Sequence, residues 1–185
     1  MRPMPFPASL RIKPEVNVVV LSPHRLVPLA LRAAGRTDGS YDVTGAAVNA
    51  DEALDLLQAT SPDVLVFDPT AVSLGKCFQL MEQAAPYLRL PTSMVLLLEP
   101  AQAATTIASR FMWEAGVRCA MTSQEAPEIW PVAIMAAARG GTYVSPVAGE
   151  LFGLSRARPL EPIGFVERPA RQGRGRHSNV TSTRL

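Results

Sequence analysis

Pro62-Asp63-Val64-Leu65-Val66-Phe67-Asp68 is the stretch whose reading decides the fold. Its apolar run is continuous rather than periodic and lies between two aspartates. That pattern suits a short strand buried on both faces, as in a parallel sheet covered by helices. The polar loop after Asp68 leads into a helical pattern from about Leu74 to Ala85. Pro86 stops it, because proline has no N–H to give and its ring clashes with the preceding turn.

The same alternation extends in both directions. Upstream, Val16 to Leu21 is a valine-rich strand, and Leu26, Leu29, Ala30 and Ala33 mark a helix that Gly35 and Thr37-Asp38-Gly39-Ser40 bring to an end. Tyr41 to Val48 is a second strand, and Ala50 to Ala59 an amphipathic helix presenting Ala53, Leu54 and Leu57. Downstream, Met94 to Leu98 is a fourth strand, followed by a helix from about Ala101 to Ala115 with Gly116 as its left-handed cap. Arg118 to Met121 is a fifth strand. The last helix begins near Glu125, with Pro131 forcing a late start or a kink, and Gly140-Gly141 closes it.

Five β-then-α units with apolar strands give an α/β fold: a doubly wound, five-stranded parallel sheet of flavodoxin-like (βα)5 type. In such sheets functional groups collect at the carboxyl ends of the strands. Here those ends are Ser22-Pro23-His24, Asp68, Leu98-Glu99 and Thr122-Ser123.

The 185 residues suffice for one domain with tails, and 48% apolar against 18% charged residues favours a filled core over a disordered chain. Residues 1–14 are expected to be a flexible, proline-rich tail without the apolar run of a signal peptide. The domain is expected to occupy 15–152. Residues 153–185, rich in Arg, Pro, Gly and Ser, are expected to be a basic disordered tail. Charge divides the same way: residues 1–150 sum to −3 and 151–185 to +5, so the tail could seek anions or nucleic acid weakly. No apolar run is long enough to cross a bilayer. Cys77 and Cys119 have neither metal-ligand spacing nor the density of a disulfide scaffold, and a reduced, cytoplasmic setting is expected.

The order of elements, Pro62 to Asp68, Ala115-Gly116-Val117-Arg118 and, most specifically, Arg139-Gly140-Gly141-Thr142-Tyr143-Val144-Ser145-Pro146 together resemble the receiver domain of LuxR/NarL-type response regulators. The resemblance spans Val16 to Phe152. It implies a bacterial two-component signalling protein in which Asp68 occupies the phospho-acceptor position. It also implies two acidic Mg²⁺ ligands after the first strand, a Ser/Thr ending the fourth and a Lys ending the fifth. The chain departs at all four positions: Ser22 and Pro23 replace the acids, Leu96-Leu97-Leu98-Glu99 offers no hydroxyl, and Ser123 stands where the Lys would be. His24 matches the subfamily.

Phosphoryl transfer to Asp68 would lose most of its electrostatic stabilisation without those groups. A degenerate receiver that works by protein contact is therefore expected. It has no catalytic residues, cofactor or metal site, and Asp68, Ser22, Pro23, His24, Glu99 and Ser123 line its pocket. Its partner is expected to be a second copy or a regulatory protein, met at Met112, Trp113, Ala133 and Ala136 on the face of the last two helices. The alternatives are a receiver still phosphorylated at Asp68, or a LuxR-type transcription regulator binding DNA weakly through its tail. Only about 33 residues follow Phe152, and Gly173 to Leu185 stops before a recognition helix could form, so DNA binding should be weak or absent. Flavin or nucleotide binding is disfavoured by Leu21-Ser22-Pro23-His24-Arg25, which has no glycine to bring backbone amides onto a phosphate.

Overall fold

The computed structural model describes residues 16–91, 93–100, 109, 110 and 112–153. The strands are β1 (Val16–Leu21), β2 (Tyr41–Ala47), β3 (Val64–Phe67), β4 (Met94–Leu98), β5 (Cys119–Thr122) and β6 (Tyr143–Val144). The helices are α1 (Leu26–Asp38), α2 (Ala50–Thr60), α3 (Leu74–Ala84), α4 (residues 109, 110 and 112–114), α5 (Ile129–Ala138) and α6 (Pro146–Leu151). All strand pairs are parallel, in the order β2-β1-β3-β4-β5-β6. The expected α/β sheet is present with a sixth strand added. The expected tails, 1–14 and nearly all of 153–185, lie outside the described residues, as does most of the helix expected from Ala101.

Strand alternation sends side chains to two cores. On one face, Val18, Val20, Val64, Val66, Val95, Leu97 and Met121 meet Leu31 of α1 and Trp130, Ala133, Ile134 and Ala137 of α5. On the other, Val19, Leu21, Leu65, Phe67, Leu96, Leu98 and Ala120 meet Ala53 and Leu57 of α2, Cys77 and Leu80 of α3, Met112 of α4 and Ala148 of α6. Among the described residues no helix is long and apolar enough to cross a membrane. Both cysteines are buried and free.

Gly35 does not end α1. The helix runs on to Asp38 and is capped by Gly39, at φ 77°, whose N–H reaches Gly35 O. Gly35 is needed for close packing instead: a Cβ there would lie 2.7 Å from Tyr41 O and 2.8 Å from its ring. Helix α2 opens with a variant of the capping box: Asn49 accepts from Glu52 N, and Glu52 reaches back past the cap to accept from Val48 N. Helix α5 starts late, at Ile129, which leaves Pro131 in its first turn, where no helical N–H is required. The sequence reading missed β6 and α6. Tyr143 and Val144 pair with Cys119 and Ala120, and Ser145 caps α6 by accepting from Ala148 N.

Candidate functional site

Brackets of register place the candidate residues. Leu21 is level with Phe67 and Leu98 with Thr122, so Ser22 faces Asp68 just beyond the strands, and Glu99 faces Ser123. The chain leaves β1 for β2 on one side and β3 for β4 on the other. The Ser22/Asp68 pair therefore sits at the topological switch point, where doubly wound sheets open a crevice.

That crevice is closed by hydrogen bonds. Ser22 and Asp68 are buried, with 1% and 3% exposure. Ser22 Oγ donates to Asp68 Oδ2 at 2.9 Å and accepts from His24 N at 3.2 Å. Asp68 Oδ1 accepts from Thr70 N at 2.9 Å and from Thr70 Oγ1 at 2.6 Å. The carboxylate thus caps the single helical turn Pro69–Ala71, with Pro69 at the position where a missing N–H costs nothing. Pro23 and His24 are exposed; the His24 backbone joins the network through Ser22.

A second pair lies two strands away. Ser123 Oγ donates to Glu99 Oε2 at 2.7 Å, with both residues half-buried. Thr122 is fully buried, and its Oγ1 has no hydrogen-bond partner among the described residues. The Thr122 backbone is well used: its N–H donates to Glu125 Oε2 at 2.9 Å and its carbonyl accepts from Trp130 Nε1 at 3.3 Å.

The structure thus brings Ser22 together with Asp68, and Glu99 with Ser123. Thr70 and Glu125 were missed by sequence reasoning. Thr70 was within reach, because Asp-Pro-Thr is a turn signature in which an aspartate bonds its own backbone two residues on. Glu125 carried half a signal: Thr122-x-x-Glu125 has the spacing at which a glutamate reaches back to the N–H three residues before it, whereas its bond to Val147 N comes from a distant segment. Of the residues expected at a contact face, Met112 and Ala133 are wholly buried in the chain's own cores, because both helices turn these positions toward the sheet. Trp113 and Ala136 are half-buried, so contact on that side would fall to them.

A hard divalent cation such as Mg²⁺ takes several oxygens, commonly from more than one carboxylate. Here Ser22 and Pro23 stand beside Asp68, and both Asp68 oxygens already accept hydrogen bonds. Among the described residues no three His, Cys, Asp or Glu side chains converge. The donor set does not fit that ion. Burial raises the Cys119 thiol to about 11, outside the range of a reactive thiolate.

No family model matches the sequence, and no curated protein matches it. Solved structures do match. The isolated REC domain of RcsB from Salmonella enterica serovar Typhimurium, determined with the phosphomimetic BeF3−, is 19% identical with a TM-score of 0.59, over 74% of this chain and 97% of that one. A LuxR-family two-component response regulator from an Aurantimonas species is 20% identical with a TM-score of 0.58, over 76% of this chain and 97% of that one. The RcsB of an RcsB–DNA complex is 17% identical with a TM-score of 0.60, over 75% of this chain and 67% of that one. Strand order, helix placement and these matches agree: the chain has the fold of a response-regulator receiver.

Proposed function

We propose that this protein is an atypical receiver of bacterial two-component signalling that acts by protein contact, and that Asp68 is a structural residue in it rather than a phosphorylation switch. The observation that carries this reading is the closed state of Asp68. One carboxylate oxygen is held by Ser22 and the other by Thr70, in the place where an acceptor needs a free oxygen and a metal beside it. Attack on a phosphoryl donor would first break these bonds, and at the family positions no acid stands to hold a cation and no lysine to balance the charge that follows.

Contact as the mode of action is supported by the outer side of α1 and α5. Helix α5, Ile129-Trp130-Pro131-Val132-Ala133-Ile134-Met135-Ala136-Ala137-Ala138, carries no charged side chain, and a helix apolar on every side is ordinarily covered on every side. Yet Val132 is 48% exposed, and Leu26 and Leu29 of the neighbouring α1 are 77% and 57% exposed. A second copy or a regulatory protein covers this side in the proposed function.

Two measurements test the reading. Incubation with acetyl phosphate and Mg²⁺, followed by intact-mass analysis, is expected to leave the mass unchanged; one added phosphoryl group that disappears in Asp68→Ala would sink it. Light scattering on the full chain is expected to give a dimer that Val132→Glu dissociates. A monomer at every concentration, with nothing retained in a pull-down, counts against contact.

A further inference from the structure

The chain does not leave the domain at the end of α5. It turns at Gly140, at φ 69°, adds β6 to the sheet edge and lays α6 back over the side that holds α4. Three contacts hold α6 there. Ala148 is wholly buried. The Phe152 ring packs against Trp113 at a centroid distance of 5.5 Å, while the Arg118 guanidinium lies 5.9 Å from the same indole. The third contact is Glu125. Its Oε1 accepts from Val147 N in the first turn of α6 at 3.3 Å, and its Oε2 accepts from Thr122 N at 2.9 Å. One carboxylate therefore joins α6 to the end of β5, and the residue after Thr122 is Ser123, the partner of Glu99.

The clasp is built to be opened. A six-residue helix cannot hold itself together in water and depends on what it packs against. Leu151 and Phe152 are only half-buried. Thr122 shares strand parity with Ala120 and so faces the α6 side of the sheet, where its hydroxyl is buried without a partner. A buried hydroxyl that makes no hydrogen bond penalises the closed state, and opening gives it water.

We propose that α6 is a releasable clasp held by Glu125, and that the Glu99–Ser123 pair at the strand ends governs whether α6 stays docked on the sheet. Breaking the pair frees Ser123 and loosens the loop 122–125; Glu125 then loses its geometry toward Val147, and α6 lifts from Trp113.

The test is hydrogen exchange by mass spectrometry on the full chain, comparing peptides over 143–153 with peptides over β1 and β3. Glu125→Gln weakens a charge-assisted bond and is expected to speed exchange in 143–153 by about tenfold with β1 and β3 unchanged. Ser123→Ala is expected to speed the same peptide by roughly threefold, since it acts through the loop. Unchanged exchange in Glu125→Gln overturns the clasp. Opening in Glu125→Gln but not in Ser123→Ala overturns the coupling. Should Glu125→Gln speed exchange in every peptide, Phe152→Ala decides, because it touches only the far end of α6: selective opening of 143–153 supports the clasp and uniform opening overturns it.

Discussion

Replacing Asp68 by alanine distinguishes a structural carboxylate from an acceptor by the sign of its effect. Where several carboxylates crowd one pocket, removing one relieves repulsion and the protein gains stability. Here Asp68 has no acidic neighbour at Ser22 or Pro23 and accepts three hydrogen bonds, at 2.9, 2.9 and 2.6 Å. Hydrogen bonds to a charged group contribute about 1.5–3 kcal/mol each, but Thr70 is half-exposed and its donors can turn to water. Ser22, at 1% exposure, cannot, so its hydroxyl is left dry and without an acceptor. The loss in Asp68→Ala should therefore be about 2–4 kcal/mol. In Asp68→Asn the amide oxygen still serves Thr70 and only the Ser22 bond is compromised, so about 1 kcal/mol should go. Urea denaturation followed by circular dichroism measures both. With a slope of about 2 kcal/mol/M, the alanine midpoint should fall by roughly 1–2 M. A midpoint for Asp68→Ala equal to or above that of the parent refutes the reasoning, whatever the asparagine variant does.

Ser22→Asp places a second carboxylate against Asp68 in a buried site; it should lower the melting temperature in EDTA, and added Mg²⁺ should restore part of the loss, whereas equal melting with and without Mg²⁺ contradicts the prediction. Gly35→Ala gains helix propensity of about 1 kcal/mol, yet its Cβ meets Tyr41 O at 2.7 Å, which is backbone and cannot swing aside. Net destabilisation of roughly 1–3 kcal/mol is expected by chemical denaturation. The buried Cys119 thiol is raised from 9.0 to about 11, so its contribution is complete below pH 9.0 and is lost as pH rises toward 11, because the unfolded thiol ionises first. Stability should decline by ~3 kcal/mol across that window, less steeply in Cys119→Ala; identical slopes for the two proteins disprove the assignment.

The strands are legible because burial on both faces leaves nearly continuous apolar runs: Met94–Leu98 has the bounds the sequence suggests, and the third strand, read from Asp63, begins one residue later at Val64. Gly35 was misplaced because a glycine that ends a helix and one that admits a neighbouring backbone look alike in sequence; only the fold brings Tyr41 over it. Tyr143-Val144 is too short to carry periodicity, and its strand character comes from the free edge of β5 beside it. At the site, the residues at each strand end were readable from position alone. Their pairing was not, since Ser22 with Asp68 and Glu99 with Ser123 depend on register between strands.

In the proposed reading of the chain as an atypical receiver, the departures at the strand ends are physically linked, not independent. In the receivers this chain resembles, three carboxylates of charge −3 are balanced by Mg²⁺ and one lysine. Losing the lysine alone would leave three carboxylates short of one positive charge. Losing the two acids alone would leave a lysine free to lock onto the remaining aspartate. Losing both sides together leaves a single buried carboxylate, and a single carboxylate can be held by neutral donors if enough of them converge. Here they do: a hydroxyl from Ser22, and an N–H and a hydroxyl from Thr70. Glu99, half-buried and open to water, is served by Ser123. Serine thus stands at two of the four departed positions, Ser22 after β1 and Ser123 after β5, and at each it donates one hydrogen bond to a carboxylate at the end of the neighbouring strand. The result ties β1 to β3 and β4 to β5 at the end of the sheet where related folds open to a ligand. Restoring one missing group without the other should therefore cost stability, and Ser22→Asp with and without Mg²⁺ is the simplest case of that rule.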